Sequence, residues 1–109
     1  MARAALELLR LWSLGDDQAA ALLCLPASSY LRWKAGEIDD INHDTRERLS
    51  HLMGIHKALR IIFKQPQRAY GWIQEPNTAF GGISALQVML GGQLSDLLRV
   101  RRLLEAEGA

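Results

Sequence analysis

The side chains able to do covalent or acid–base chemistry are few and poorly placed for it. His43, His51 and His56 do not make a His-Glu-x-x-His pair, the spacing that sets two imidazoles on one helical face around zinc. Cys24 is the single cysteine, so it has neither a disulfide partner nor a metal-ligand set at a recognisable spacing. It follows an apolar run, which predicts a buried structural thiol. Asp16-Asp17 and Asp39-Asp40 are paired carboxylates, but they fall at a helix start and in a polar linker. Capping and solvation explain them better than general acid–base work. No Gly-x-Gly-x-x-Gly or Walker sequence follows a strand. These residues predict a binding protein with no catalytic, metal or cofactor site.

Two other sets suit recognition. Ser28, Ser29, Arg32 and Lys34 follow Pro26 on one short segment. Serines at a helix start can meet phosphates or base edges, and an Arg can pair with guanine or phosphate. The second set lies further on, where Arg99, Arg101 and Arg102 alternate with leucines. Arg forms planar, two-pronged hydrogen bonds with carboxylates and is enriched at interface hot spots. Before it comes Tyr70-Gly71-Trp72-Ile73, then Pro76-Asn77 and Phe80-Gly81-Gly82. Pro76 fixes φ, Asn77 can hydrogen-bond its own backbone, and the glycines permit positive φ, so an ordered turn is expected. Trp72 and Phe80 read as packing residues, and Asn77 and Thr78 as exposed contact candidates.

The elements positioning these groups all show helical periodicity. A first helix is expected over Ala4–Ser13, with Leu8, Leu11 and Trp12 inward and Leu9 widening the stripe. Asp16 or Asp17 should cap a second helix ending at Leu23, and Cys24-Leu25-Pro26 makes a tight turn. A third helix, Ala27–Lys34, buries Tyr30, Leu31 and Trp33 and is stopped by Ala35-Gly36. The second and third helices together make a helix-turn-helix, with Ala27, Ser28, Ser29, Arg32 and Lys34 outward. After the linker Glu37–His43, Asp44 and Glu47 resemble a capping box opening a long helix lined by Leu49, Leu52, Met53, Leu59, Ile62 and Phe63. Gln65-Pro66 breaks it. A short helix over Gln67–Ile73, another capped by Ser84 to Leu90, and a last one over Leu94–Glu107 complete the chain. Leu94, Leu97, Val100 and Leu104 should face the core, with Leu98 and Leu103 widening that stripe. The expected class is all-α, a helix-turn-helix bundle over residues 1–64 followed by a small helical domain over 65–109.

Composition bounds the reading. Of 109 residues, 49% are hydrophobic and 23% charged, with a formal net charge of +1. Residues 1–64 carry nine Lys or Arg against eight Asp or Glu. Duplex affinity grows with the number of phosphates neutralised, so a homodimer presenting two reading helices is expected if the front half binds operator DNA. No window reaches the length of a membrane span, and no signal peptide is visible. A soluble, reducing, cytoplasmic setting is expected.

The order of features adds a resemblance. Trp72, Pro76-Asn77, Phe80-Gly81-Gly82, Gly91-Gly92 and an amphipathic stretch from Leu94 to Glu107 ending in Gly108 resemble the Xre/MbcA/ParS antitoxins. The front half, ending Arg32-Trp33-Lys34-Ala35-Gly36, looks like the Xre-like part of that family. The resemblance implies an antitoxin for a RES-domain toxin, an enzyme that consumes NAD or transfers ADP-ribose from it. It implies that the C-terminal domain obstructs the toxin's active-site entrance, that the chain dimerises, and that the front domain can repress its own operon. Asn77, Thr78, Arg99, Arg102, Leu103 and Glu107 are the toxin-contact candidates. One departure is Ala85, where the family often carries Pro after the double glycine.

Overall fold

A computed structural model describes residues 1–108, and among them seven α-helices form with no strand beyond one isolated bridge between Pro76 and Ser84. Helix α1 (Ala2–Leu11) turns Leu8, Leu9 and Trp12 inward, while Leu11 is half-buried. Helix α2 (Asp16–Leu23) is not capped by an aspartate. Gly15 is the capping residue, and its N–H donates to the Gln18 side chain at 3.0 Å. Asp16 and Asp17 occupy the first turn instead, where their charge still complements the positive end of the helix dipole.

Cys24 corrects another expectation, because its side chain is exposed. It closes α2 in the left-handed conformation (φ 55°), which carries its Cβ away from the apolar run and toward solvent. Helix α3 (Ala27–Lys34) buries Tyr30 and Trp33 but leaves Leu31 52% exposed. Residues three apart share a helical face, so the two rings take the inward one, and Leu31, a further 100° round from Tyr30, points out.

Helix α4 (His43–Ile62) starts one residue earlier than expected and has a different cap. Asn42 Oδ1 accepts the Thr45 N–H at 2.8 Å. Asp44 therefore sits inside the first turn and pairs with Arg48 at 3.0 Å, while Glu47 lies between His43 and His51. Helix α5 (Pro66–Gly71) is shorter than expected, its last residues tightening into a 3-10 turn over Trp72–Gln74. Helix α6 (Ala85–Met89) is opened by Ser84, whose Oγ accepts the Gln87 N–H at 3.1 Å while Gln87 reaches back to the Ser84 N–H. Helix α7 (Leu94–Gly108) ends the described chain.

The core forms where α4 and α7 pack along each other. Leu52, Ile55 and Leu59 on α4, and Leu97, Val100 and Leu104 on α7, are fully buried. Helices α1 and α2 pack on α4, and α6 packs on α7. Front and back thus share one wall. Among the described residues three polar ties cross it: Arg48 donates to the Gly92 carbonyl at 2.8 Å, the Gln74 amide donates to the Trp12 carbonyl at 2.7 Å, and Arg101 Nη1 lies 3.1 Å from His51 Nδ1. No described helix is long and apolar enough to cross a membrane.

Candidate functional site

The helix-turn-helix expected from sequence is present, with α2 and α3 packed together across the left-handed turn at Cys24. On α3, Ser28, Arg32 and Lys34 are exposed and Ser29 is half-buried. These four groups are not equally free. Lys34 Nζ donates to Asp16 at 2.8 Å, an interaction that raises the lysine pKa above its ordinary value. An Arg32 guanidinium nitrogen lies 3.5 Å from Ser29 Oγ. Arg32 and Ser29 border a hollow of about 240 Å³ that also includes Asp39, Asp40 and Asn42. Residues 13–46 carry three Lys or Arg (Arg32, Lys34, Arg46) against six Asp or Glu, so the reading unit and its flanks have a net charge of −3. A broader groove of about 520 Å³ between α1 and α3 has Leu6, Leu14, Tyr30 and Trp33 on its floor. Its rim carries the Glu7–Arg10 and Asp16–Lys34 ion pairs.

The back surface is built on the loop after α5. Asn77 Oδ1 accepts the Ala79 N–H at 2.9 Å, and the Gly82 N–H donates to the Asn77 carbonyl at 2.9 Å. Gly81 (φ 70°) and Gly82 (φ 94°) close that loop in conformations that L side chains avoid. Asn77 is consequently half-buried and occupied, whereas Thr78 is exposed. Phe80 is buried, and the Arg99 guanidinium sits 5.1 Å from its ring centroid, fixing the loop against α7. Trp72 is half-buried against the core. Along α7, Arg99, Arg102 and Glu107 are exposed, and Leu103 is half-buried at the edge of the core. The fold therefore brings Arg99 to the loop of Asn77 and Thr78.

Sequence reasoning missed one side chain that organises these surfaces, Arg48, and read another, Arg101, as a recognition group although it packs back onto α4. Arg48 is 4% exposed and reaches both halves. Its signal was register, since it stands on the inward face of α4 with Thr45 and Leu52. Arg101 turns back onto α4, its Nη1 3.1 Å from His51 Nδ1, over the bare backbone of Gly54. Burial, then the Arg101 charge, lowers the His51 pKa from its ordinary 6.5. Among the described residues no three of His, Cys, Asp and Glu come together as a metal site.

Residues 1–54 match the profile of the antitoxin Xre-like helix-turn-helix domain. Residues 58–108 match that of the antitoxin Xre/MbcA/ParS C-terminal toxin-binding domain. The chain is also similar to the uncharacterized protein y4oB of Sinorhizobium fredii, 44% identical over 97 residues, covering 88% of this chain and 74% of the relative. The chain belongs to the Xre/MbcA/ParS antitoxin family. Its two surfaces fall in the two matched parts. Ser28 to Lys34 lie in the antitoxin's helix-turn-helix, and the Asn77 loop and α7 lie in its toxin-binding domain. The matches divide between Gly54 and Ala58, inside α4, so this antitoxin's long helix serves both parts.

Proposed function

We propose that this antitoxin neutralises a RES-domain toxin, an NAD-consuming or ADP-ribosylating enzyme, by covering its active-site entrance. The observation carrying the reading is the division of labour on α7 within the matched toxin-binding domain. Leu97, Val100 and Leu104 are spent on the core, while Arg99, Arg102 and Glu107 stay exposed, with Arg99 against the loop that carries Thr78. Thr78, Arg99, Arg102 and Glu107 make the contacts, with Asn77 shaping the loop and Leu103 supplying apolar area at its edge. Residues 65–109 form the toxin-binding unit and residues 1–64 the DNA-binding and dimerising unit, with α4 as their common wall. A cytoplasmic homodimer places two α3 helices on operator DNA through Ser28, Ser29 and Arg32, with Lys34 joining when it leaves Asp16, and so represses its own operon. The chain performs no catalysis itself.

The test is co-expression with a RES-type enzyme. Arg102→Glu with Glu107→Lys, which keeps the Arg99–Phe80 contact, should leave the fold intact and abolish both rescue of growth and co-purification. Full rescue by that folded double variant would overturn the occlusion surface. Failure of the wild-type chain to bind the toxin, with a homodimer still shifting operator DNA, would instead make it a helix-turn-helix transcription regulator without a toxin partner.

A further inference from the structure

Between Glu47 and Glu75 the chain has no carboxylate and five Lys or Arg: Arg48, Lys57, Arg60, Lys64 and Arg68. Arg48 is buried, and the other four are exposed. Positions 46, 50, 53, 57 and 60 recur at steps of three and four, which places them on one face of α4. Arg46, Ser50, Lys57, Arg60 and the neighbouring Ile61 are exposed there, opposite the buried Leu52, Ile55 and Leu59. Lys64 follows just past the helix end. From Arg46 to Arg60 this stripe runs about 21 Å at the α-helical rise. The head of α4 lies near α3, since Asn42 there borders the same hollow as Arg32.

The stripe's cations are uncommitted to carboxylates. Ion pairs among the described residues lie elsewhere. Glu105 shares a groove with Lys57, but Arg101 approaches it at 3.4 Å. Arg46 meets only a carbonyl oxygen, that of Ile41, at 3.4 Å. A protein-binding face would be expected to gather aromatic anchors and shed lysines. Here the large apolar side chain exposed within the stripe is Ile61, and two of its four cations are lysines. A row of separated, solvated cations on a convex helix instead fits a polyanion with evenly repeated charge.

We propose that this face of α4 binds the phosphate backbone of duplex DNA, with Arg46, Lys57, Arg60 and Lys64 continuing the track that α3 begins. The inference rests on the reading of α3 as a DNA-contacting helix, and it supplies what that unit lacks. Without Arg46, residues 13–45 carry two Lys or Arg against six Asp or Glu, so α3 has few cations of its own for phosphates and the four on α4 add to them.

Fluorescence anisotropy with a generic duplex of about 30 base pairs, over a salt series, measures this directly. Each neutralised phosphate steepens the dependence of log K on log salt by about 0.9, so Lys57→Gln, Arg60→Gln, Lys64→Gln together should flatten it by about 2.7. The charge-keeping set Lys57→Arg, Arg60→Lys, Lys64→Arg should restore the wild-type slope, with circular dichroism reporting intact helices in both. An unchanged slope in the glutamine variant, or no wild-type binding at about 50 mM salt, overturns the stripe. Competition by polyglutamate as strong as that by duplex, at equal charge, would also overturn it and assign the face to an acidic protein. Arg32→Ala separates the two readings: if it changes neither operator affinity nor slope while the glutamine set does, the α3 contact fails and the stripe stands.

Discussion

Three hydrogen bonds leave the Arg48 guanidinium: to Asp44 at 3.0 Å, to the Leu22 carbonyl at 3.4 Å and to the Gly92 carbonyl at 2.8 Å. One planar fork thereby joins the end of α2 to the turn that opens α7. Arg48→Met keeps the apolar stem but strands two carbonyls at the interface. It should cost about 2–3 kcal/mol in urea unfolding, and Arg48→Lys should recover only part because an ammonium lacks the fork. Cys24 carries the opposite kind of prediction. It is exposed and held at φ 55°, a conformation costing an L residue about 1–2 kcal/mol. Cys24→Gly should raise stability by about 1 kcal/mol. The native thiol should react with a thiol reagent without denaturant, whereas a protected thiol would contradict the turn geometry. Both residues were visible in sequence, but their surroundings were not. The apolar run before Cys24 suggested burial, and only the handedness of the turn shows otherwise.

At the level of elements, α4 and α7 are held by apolar packing and, among the described residues, by a polar crossing from Arg101 to His51. The crossing exists because Gly54 has no side chain; a Cβ there would stand 2.5 Å from the Arg101 guanidinium carbon. Gly54→Ala should hold or raise stability by up to about 1 kcal/mol through helix propensity, since the displaced group is the free end of a flexible side chain. It should also lift the His51 pKa toward 6.5 in an NMR titration, by removing the Arg101 charge. Burial lowers the pKa of His51, and also of His56, where Arg60 adds to the effect. The unfolded chain therefore takes up these protons first. Stability should fall as pH drops below about 6.5, and substituting both histidines with Gln should flatten that decline in thermal melts. The helices themselves were legible from period and punctuation. Their caps were not, because Gly15 lies within two residues of Asp16 and Asp17, and Asn42 within two of Asp44, and the choice in each case depends on where the first turn packs.

Across the whole molecule, the charges are segregated. Residues 13–46 hold a net −3, while the stretch between Glu47 and Glu75 has cations alone. The near-neutral total conceals this. The shared core also decides how function must be tested. Deleting residues 94–109 removes Leu97, Val100 and Leu104 from the packing against α4, so lost neutralisation in that truncation reports unfolding. Leu104→Ala should cost about 2–5 kcal/mol and reduce toxin binding only through stability, recovering at lower temperature. Arg102→Glu with Glu107→Lys should melt like the wild type yet bind no toxin. Identical behaviour of the two variants would dissolve the division of α7 into a core face and a contact face.

The sequence by itself determined the helical class, the order of helices, the helix-turn-helix and the family's back-half motif. These depend on local period, on glycine and proline positions, and on the spacing of Trp72, Pro76-Asn77 and Phe80-Gly81-Gly82, all of which are written along the chain. Tertiary structure decided which charges are free. Lys34 is held by Asp16, Arg101 by His51 and Arg48 by two carbonyls, while Lys57 and Arg60 remain open along one helical face. A side chain's availability depends on partners 18 to 50 residues away, and no local pattern carries that distance.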